Sequence, residues 1–199
     1  MRDIRDQEAK INELTVELIR LNQIKKENDE LRALLEFKEK NNFLLIPATI
    51  IYKSILEREK KIILNKGLDD GVKVGSAVMI NNGIFIGKII SADSNSSTVQ
   101  LTIDSDSAIL GTFDDIPDTI AGVMKGSRGA SLRFTLIPKT ILLHQGERVI
   151  TNGLQDGIPA NLYIGDITSL EESENSIFNT ALVKPPYTIE NLSVVAIVK

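Results

Sequence analysis

Along the first forty residues, apolar side chains recur at Ile4, Ile11, Leu14, Leu18 and Leu21, in steps of seven, three, four and three. Charged residues crowd the positions between them. This is the a/d stripe of a coiled coil, which repeats every 3.5 residues and leaves the other faces to water. After one further three-residue step the stripe continues through Ile24, Asn28, Leu31 and Leu35. Two consecutive three-residue steps make a stammer, which overwinds the supercoil locally. Asn28 then falls on the seam, where a buried amide fixes register because a shifted partner leaves it unsatisfied. The alternative is a single amphipathic helix packed on its own body. A stripe this narrow over ~5 heptads is too thin for an ordinary core helix and favours pairing with a second copy.

From Pro47 the period changes from helical to alternating. TVQLTI (98–103) alternates, as does the terminal NLSVVAIVK. Asn82-Gly83 lies between AVMI and IFIGKII, a hairpin signal, because a type I′ turn needs positive φ at both central residues. Short β-branched runs, punctuated by Gly, Asn, Asp and Pro, predict strands near 47–52, 61–65, 76–80, 84–91, 97–103, 109–113, 119–125, 131–136, 147–151, 162–169, 177–184 and 193–198. A dozen short strands are too many for one small barrel and fit two of six. The expected fold is therefore mainly β: a coiled-coil helix over 1–42, then β-barrel domains over 43–118 and 119–199. Whether the last strand returns to the first barrel stays open at this point.

An internal repeat supports the two halves. GLDDGV at 67–72 returns as GLQDGI at 153–158, and IGKI at 86–89 returns as IGDI at 164–167. Each first motif follows an apolar run, IILNK or RVITN. Two glycines four apart framing an acidic residue read as a turn in which Asp bonds its own backbone. The expected structural turn residues are Gly67, Asp70 and Gly71 in one copy and Gly153, Asp156, Gly157, Pro159 and Gly165 in the other, together with Asn82 and Gly83. Each copy is expected to mark the same corner of one of two related barrels.

Composition sharpens the boundary. Residues 1–46 contain no Gly and no Pro, and all 13 Gly and all 6 Pro follow. Residues 1–40 carry 9 basic and 10 acidic side chains, so 31 of the 50 charges are left for the remaining 159 residues. The net charge of −4 gives no electrostatic case for nucleic acid, which requires a clustered basic surface. With no cysteine, disulfides, zinc–thiolate sites, iron–sulfur clusters and thiol catalysis are excluded. No run of about 18 apolar residues is present to span a membrane. The opening MRDIRDQEAK is already helical and charged, as in a segment whose anchor lies upstream.

Candidate chemistry is sparse. His144 is the sole histidine, and no GxSxG elbow accompanies it. Asp104 and Asp106 are spaced like the start of a calcium loop, but Ile109 stands where glycine should, and no Glu closes the loop. With no Trp and 5% aromatics, the chain has poor material for a sugar-stacking cleft. No phosphate-binding glycine loop is found. No cofactor, metal or catalytic residue is assigned.

ENDELRALLEF (27–37), then GLDDGVKVGSAVMINNGIFIGKI, then GERVITNGLQDGIPANLYIGDI, in this order over nearly the whole chain, resembles the rod shape-determining MreC proteins of bacteria. The most specific part is carried by Gly146, Glu147, Val149, Thr151, Gly153, Leu154, Ile158, Pro159, Ile164 and Gly165. One departure is Asn161, where the family usually has glycine; Asn is the residue next most tolerant of positive φ. The resemblance implies a coiled-coil stem followed by two small β-barrels. It implies a short cytoplasmic start and one spanning helix, both outside this chain, with the body in the periplasm beyond the inner membrane. It further implies a non-enzymatic homodimer that binds class B penicillin-binding proteins and works with MreB, MreD, RodA and RodZ in side-wall peptidoglycan synthesis. Partner contact is expected at apolar strand edges or in a groove between barrels. Two rival readings are a protease-like two-barrel enzyme using His144 and an adaptor of a secretion or efflux assembly. Such adaptors carry a helix on each side of the barrel, and this chain has only the N-terminal one.

Overall fold

The Gly- and Pro-free opening forms one helix, α1 (Arg2–Asn41). The computed structural model describes residues 2–41, 43–56, 59–81, 83–116, 121–127, 131–171 and 176–199, with helix side chains described at Ile11, from 14 to 32 and at Leu34. The seam expectations at Ile4 and Leu35, and the turn expectation at Asn82, lie outside these. Among the described residues twelve strands follow: β1 (Leu45–Ile55), β2 (Lys60–Leu64), β3 (Ala77–Ile80), β4 (Ile84–Ala92), β5 (Ser97–Leu101), β6 (Ala108–Phe113), β7 (Gly122–Gly126), β8 (Leu132–Pro138), β9 (Arg148–Asn152), β10 (Ala160–Glu171), β11 (Phe178–Lys184) and β12 (Val194–Val198). The alternation that predicts them is the alternation they bury. In β2 and β5 every second side chain is fully enclosed. β12 (VVAIV) is apolar throughout and buried at every position. One of its faces belongs to the barrel wall, and α1 lies against the strand.

Strand pairing closes the sheet on itself. β4-β3-β12-β1-β2-β5 follow one another and β5 returns to β4, which makes a closed six-strand barrel. β11-β8-β7-β6-β9-β10 continue the order, and β10 pairs back to β11. The last strand crosses over to lie between β1 and β3, with Pro47 opposite Ala196 and Met79 opposite the same residue. Backbone bonds join the rings: Tyr163 N donates to Gly83 O at 2.9 Å beside the parallel pairing of Tyr163 with Ile84, and Ala77 N donates to Gly157 O at 2.8 Å. Buried side chains from both rings form one continuous apolar core, in which Phe113 and Phe134 meet edge to face at 5.5 Å.

Three expectations need correction. The division at 118 places β6 in the first half, yet β6 pairs with β7 and β9. Residues 113–116 lead out of β6 into its hairpin with β7. Ile116 N donates to Phe113 O, Thr112 Oγ1 to Ile116 O, and Ala121 N to Gly111 O. The change of ring falls earlier, in the tight turn at Asp104–Ser107. Next, the β3–β4 hairpin is not a two-residue loop. Ile80 pairs with Ile84, and φ is positive at Asn81 (46°) and Gly83 (95°). Finally, among the described residues every strand has a neighbour on each side, so none of them presents an unpaired edge to a partner.

Candidate functional site

The two GLxDG turns differ. In the first, Asp70 Oδ2 accepts from Gly67 N at 3.1 Å and Oδ1 from Lys66 Nζ at 2.7 Å. The lysine bond, followed by the amide bond, holds the Asp70 carboxyl below its usual range. In the second turn the local bond comes from Asn152, whose Oδ1 accepts from Leu154 N at 3.1 Å, and not from Asp156. Gln155 Oε1 accepts from Leu110 N at 2.8 Å and so satisfies β6. Gly157 has φ 76°, and a Cβ there would lie 2.6 Å from Gly75 O. The copies are not the same corner: the first leads from β2 to β3, which do not pair, and the second from β9 to β10, which do. The equivalence lies in IGKI and IGDI. A Cβ on Gly87 would meet Gln100 O at 2.2 Å, and one on Gly165 would meet Lys184 O at 2.3 Å. Both glycines let the strand that closes a ring approach its neighbour's backbone. Pro159 O accepts from Thr151 Oγ1 at 2.6 Å, and Asn161 takes φ 65°, the conformation its tolerance allows.

Asp104 and His144, the residues weighed for chemistry, lie in unlike surroundings. Asp104 is buried, and its carboxylate accepts from Lys60 N, Gln100 Nε2 and Asp106 N. His144 sits on an exposed loop with Nδ1 at 2.7 Å from Glu147 Oε1. Among the described residues no hydrogen bond joins it to a serine or threonine hydroxyl.

What remains is surface, and the most distinctive is the stem. Ile11, Leu14, Leu18, Leu21 and Ile24 are 52–62% exposed, and Asn28 is exposed beside them. Val16 and Ile19, off this row, are exposed as well, at 67% and 61%. The root of the stem behaves differently. Leu34, which the seam reading passed over, is buried at 3%, and Leu31 packs against the core. Leu31 therefore belongs to the root contact, a correction to its place on the seam. Above it, Glu30 Oε2 accepts from Ser193 Oγ at 2.8 Å and Val194 N at 3.3 Å, and Lys26 Nζ donates to Asn191 O at 2.7 Å. Lys26, Glu30 and Leu34 are four apart and form one stripe. With about 100° per residue, Glu30 lies roughly 120° around the helix from Ile24, and Leu34 roughly 140° from Leu21. The docking stripe and the seam thus occupy different faces. Between the stem root, the β3–β4 hairpin tip at Asn81 and the β11–β12 connection at Lys184–Thr188 lies a cleft of about 550 Å³. Elsewhere, Leu136, Ile177 and Phe178 are exposed apolar side chains at one end of the β8–β11 pair. The signal for Glu30 and Leu34 was legible only as helical spacing, since nothing in sequence tells a docking stripe from a solvated face.

With this geometry in hand, comparison decides the family. Residues 50–199 match the family model described as rod shape-determining protein MreC, barrel core. The chain belongs to the MreC family. Its relatives carry the name cell shape-determining protein MreC. The one from Listeria monocytogenes is 26% identical over 189 residues, covering 88% of this chain and 61% of the relative. The one from Bacillus subtilis is 29% identical over 195 residues, covering 90% and 65%. The chain thus spans about three fifths of these relatives. A solved MreC structure superposes with TM-score 0.78 at 18% identity, covering 88% of this chain and 99% of that one. The MreC of a Helicobacter pylori complex with a penicillin-binding protein gives TM-score 0.60 at 16% identity, covering 79% and 99%. At these identities the structures establish the shared fold. Among the described residues no helix is long and apolar enough to cross a membrane.

Proposed function

We propose that this chain is the extracytoplasmic part of a scaffold for bacterial wall elongation, in which a coiled-coil stem pairs two copies and two barrels form the body. The carrying observation is the exposed seam from Ile11 to Ile24 on a face separate from the root contact. Burying what each seam residue still exposes contributes about 1 kcal/mol apiece, so pairing has a driving force that the docked stem leaves unused. The two rings are the two barrel domains, the second contributed by β6–β11 and the first completed by β12. The scaffold works without catalysis or cofactor: it holds a class B penicillin-binding protein beside MreB, MreD, RodA and RodZ, with the body in the periplasm and an upstream helix in the inner membrane.

Family membership and the Helicobacter complex support the penicillin-binding partner. Because strand edges are used up in ring closure, contact is through side-chain faces, with Leu136 and Phe178 as apolar material. Leu14→Asp with Leu21→Asp should halve the mass in solution by sedimentation; an unchanged mass removes the paired stem. Calorimetry against the soluble domain of a class B penicillin-binding protein should show binding by the parent chain, and its absence removes the partner reading. Cells carrying His144→Ala should keep their shape, and loss of shape would restore the enzyme reading.

A further inference from the structure

The stem leaves the body as a long arm fixed at one end. Among the described helix side chains, Leu34 is the buried one at the root, with Leu31 packed against the core beside it; such contact is a pivot rather than a clamp, since apolar contact has no directional preference. Direction must come from polar bonds, and among the described residues Glu30 and Lys26 supply them. Glu30 is caught by Ser193 Oγ and Val194 N where β12 begins, and Lys26 reaches Asn191 O. The receiving turn, Ile189–Asn191, is itself held from below by Lys53, whose Nζ donates to Ile189 O at 2.8 Å and Glu190 O at 3.0 Å. Beyond Lys26 the described side chains of the arm are exposed, and the cleft beside Glu30 gives it room to move.

We propose that Glu30 is a latch that sets the angle between stem and barrels, and that its release lets the stem swing about Leu34 over the cleft. The arm amplifies small changes: from Leu34 to Val16 the helix rises about 27 Å, so a tilt of about 20° at the root moves Val16 by about 9 Å. Where stems pair, as in the reading above, this angle sets how far apart the two bodies stand. The latch itself belongs to a single chain.

The chain has no cysteine, which makes a two-site spin label simple. Val16→Cys lies off the seam and Asn95→Cys lies on an exposed loop of the body. Labelled chain diluted into excess unlabelled chain reports only the distance within one molecule. The parent should give one narrow distribution. Glu30→Ala should shift or spread it by up to about 9 Å. Glu30→Gln, which keeps an acceptor oxygen, should restore most of the parent width, and Ser193→Ala should broaden it less than Glu30→Ala. A Glu30→Ala distribution that overlays the parent overturns the latch, as does a parent already as broad. If Glu30→Ala does not fold, Ser193→Ala combined with Lys26→Ala must broaden the distribution, and a parent-like width there is equally fatal. Repeating the measurement with Leu14→Asp and Leu21→Asp separates the two proposals: the latch must persist in a chain that cannot pair.

Discussion

Asp104 ties two parts of the barrel wall together, and replacing it with Asn changes one atom of that tie. Its Oδ2 accepts from Lys60 N at 2.6 Å, at the start of β2, and its Oδ1 accepts from Gln100 Nε2 and Asp106 N, both at 2.9 Å. The residue is 1% exposed, and its carbonyl is pressed so close to β7 that a Cβ on Gly126 would meet it at 2.0 Å. The backbone has no room to rearrange. In Asp104→Asn a single oxygen must serve three donors, and the new NH₂ faces a donor wherever it is turned. One hydrogen bond to a charged acceptor is lost and one buried donor is stranded, together about 3 kcal/mol. For a chain of this length that lowers the melting temperature by about 6–12 °C. Calorimetry with and without calcium is the assay. A melting temperature within about 2 °C of the parent refutes the reasoning. A rise on adding calcium that the variant abolishes would return Asp104 to the ligand reading.

Gly157→Ala should destabilise more than Gly71→Ala, measured by urea unfolding. At Gly71 a Cβ meets only the flexible end of Lys199 at 3.2 Å, so the left-handed backbone alone costs about 1–2 kcal/mol. At Gly157 the same strain is joined by a clash with Gly75 O, which separates the rings; equal costs would show that the turns are interchangeable after all. Asp70 gives a pH signature. Because folding lowers its pKa below the ordinary 3.8, its contribution is complete above that value and disappears as pH falls through the folded one. The stability gap between the parent and Asp70→Asn should therefore close between about pH 5 and about pH 2, and a constant gap contradicts the Lys66 and Gly67 bonds.

The strands and the stem were legible because local pattern suffices for them. Alternation in TVQLT and the Gly- and Pro-free opening each state a period, and period decides element type. Asn161 was legible too, since a φ of 65° selects among few residues. The candidate site was only half legible. Ile11 to Ile24 form a seam by spacing alone, whereas Glu30 and Leu34 acquire their role from Ser193, Val194 and the buried face of β12, more than 150 positions away.

What the sequence determined by itself is everything carried by neighbours along the chain: twelve strands, one helix, a repeated turn and an apolar stripe. Only the tertiary structure decided which strands are neighbours in space. It moved β6 across the expected boundary, brought β12 back between β1 and β3, and made the two GLxDG turns unlike. It also turned an acidic pair that resembled a metal loop into a tie between β2 and the β5–β6 turn. The physical reason is common to all of these. Dihedral preference and side-chain period act over a few residues, but closing a ring depends on long-range backbone pairing, and the residues that permit it are marked in sequence by nothing more than a glycine or a buried carboxylate.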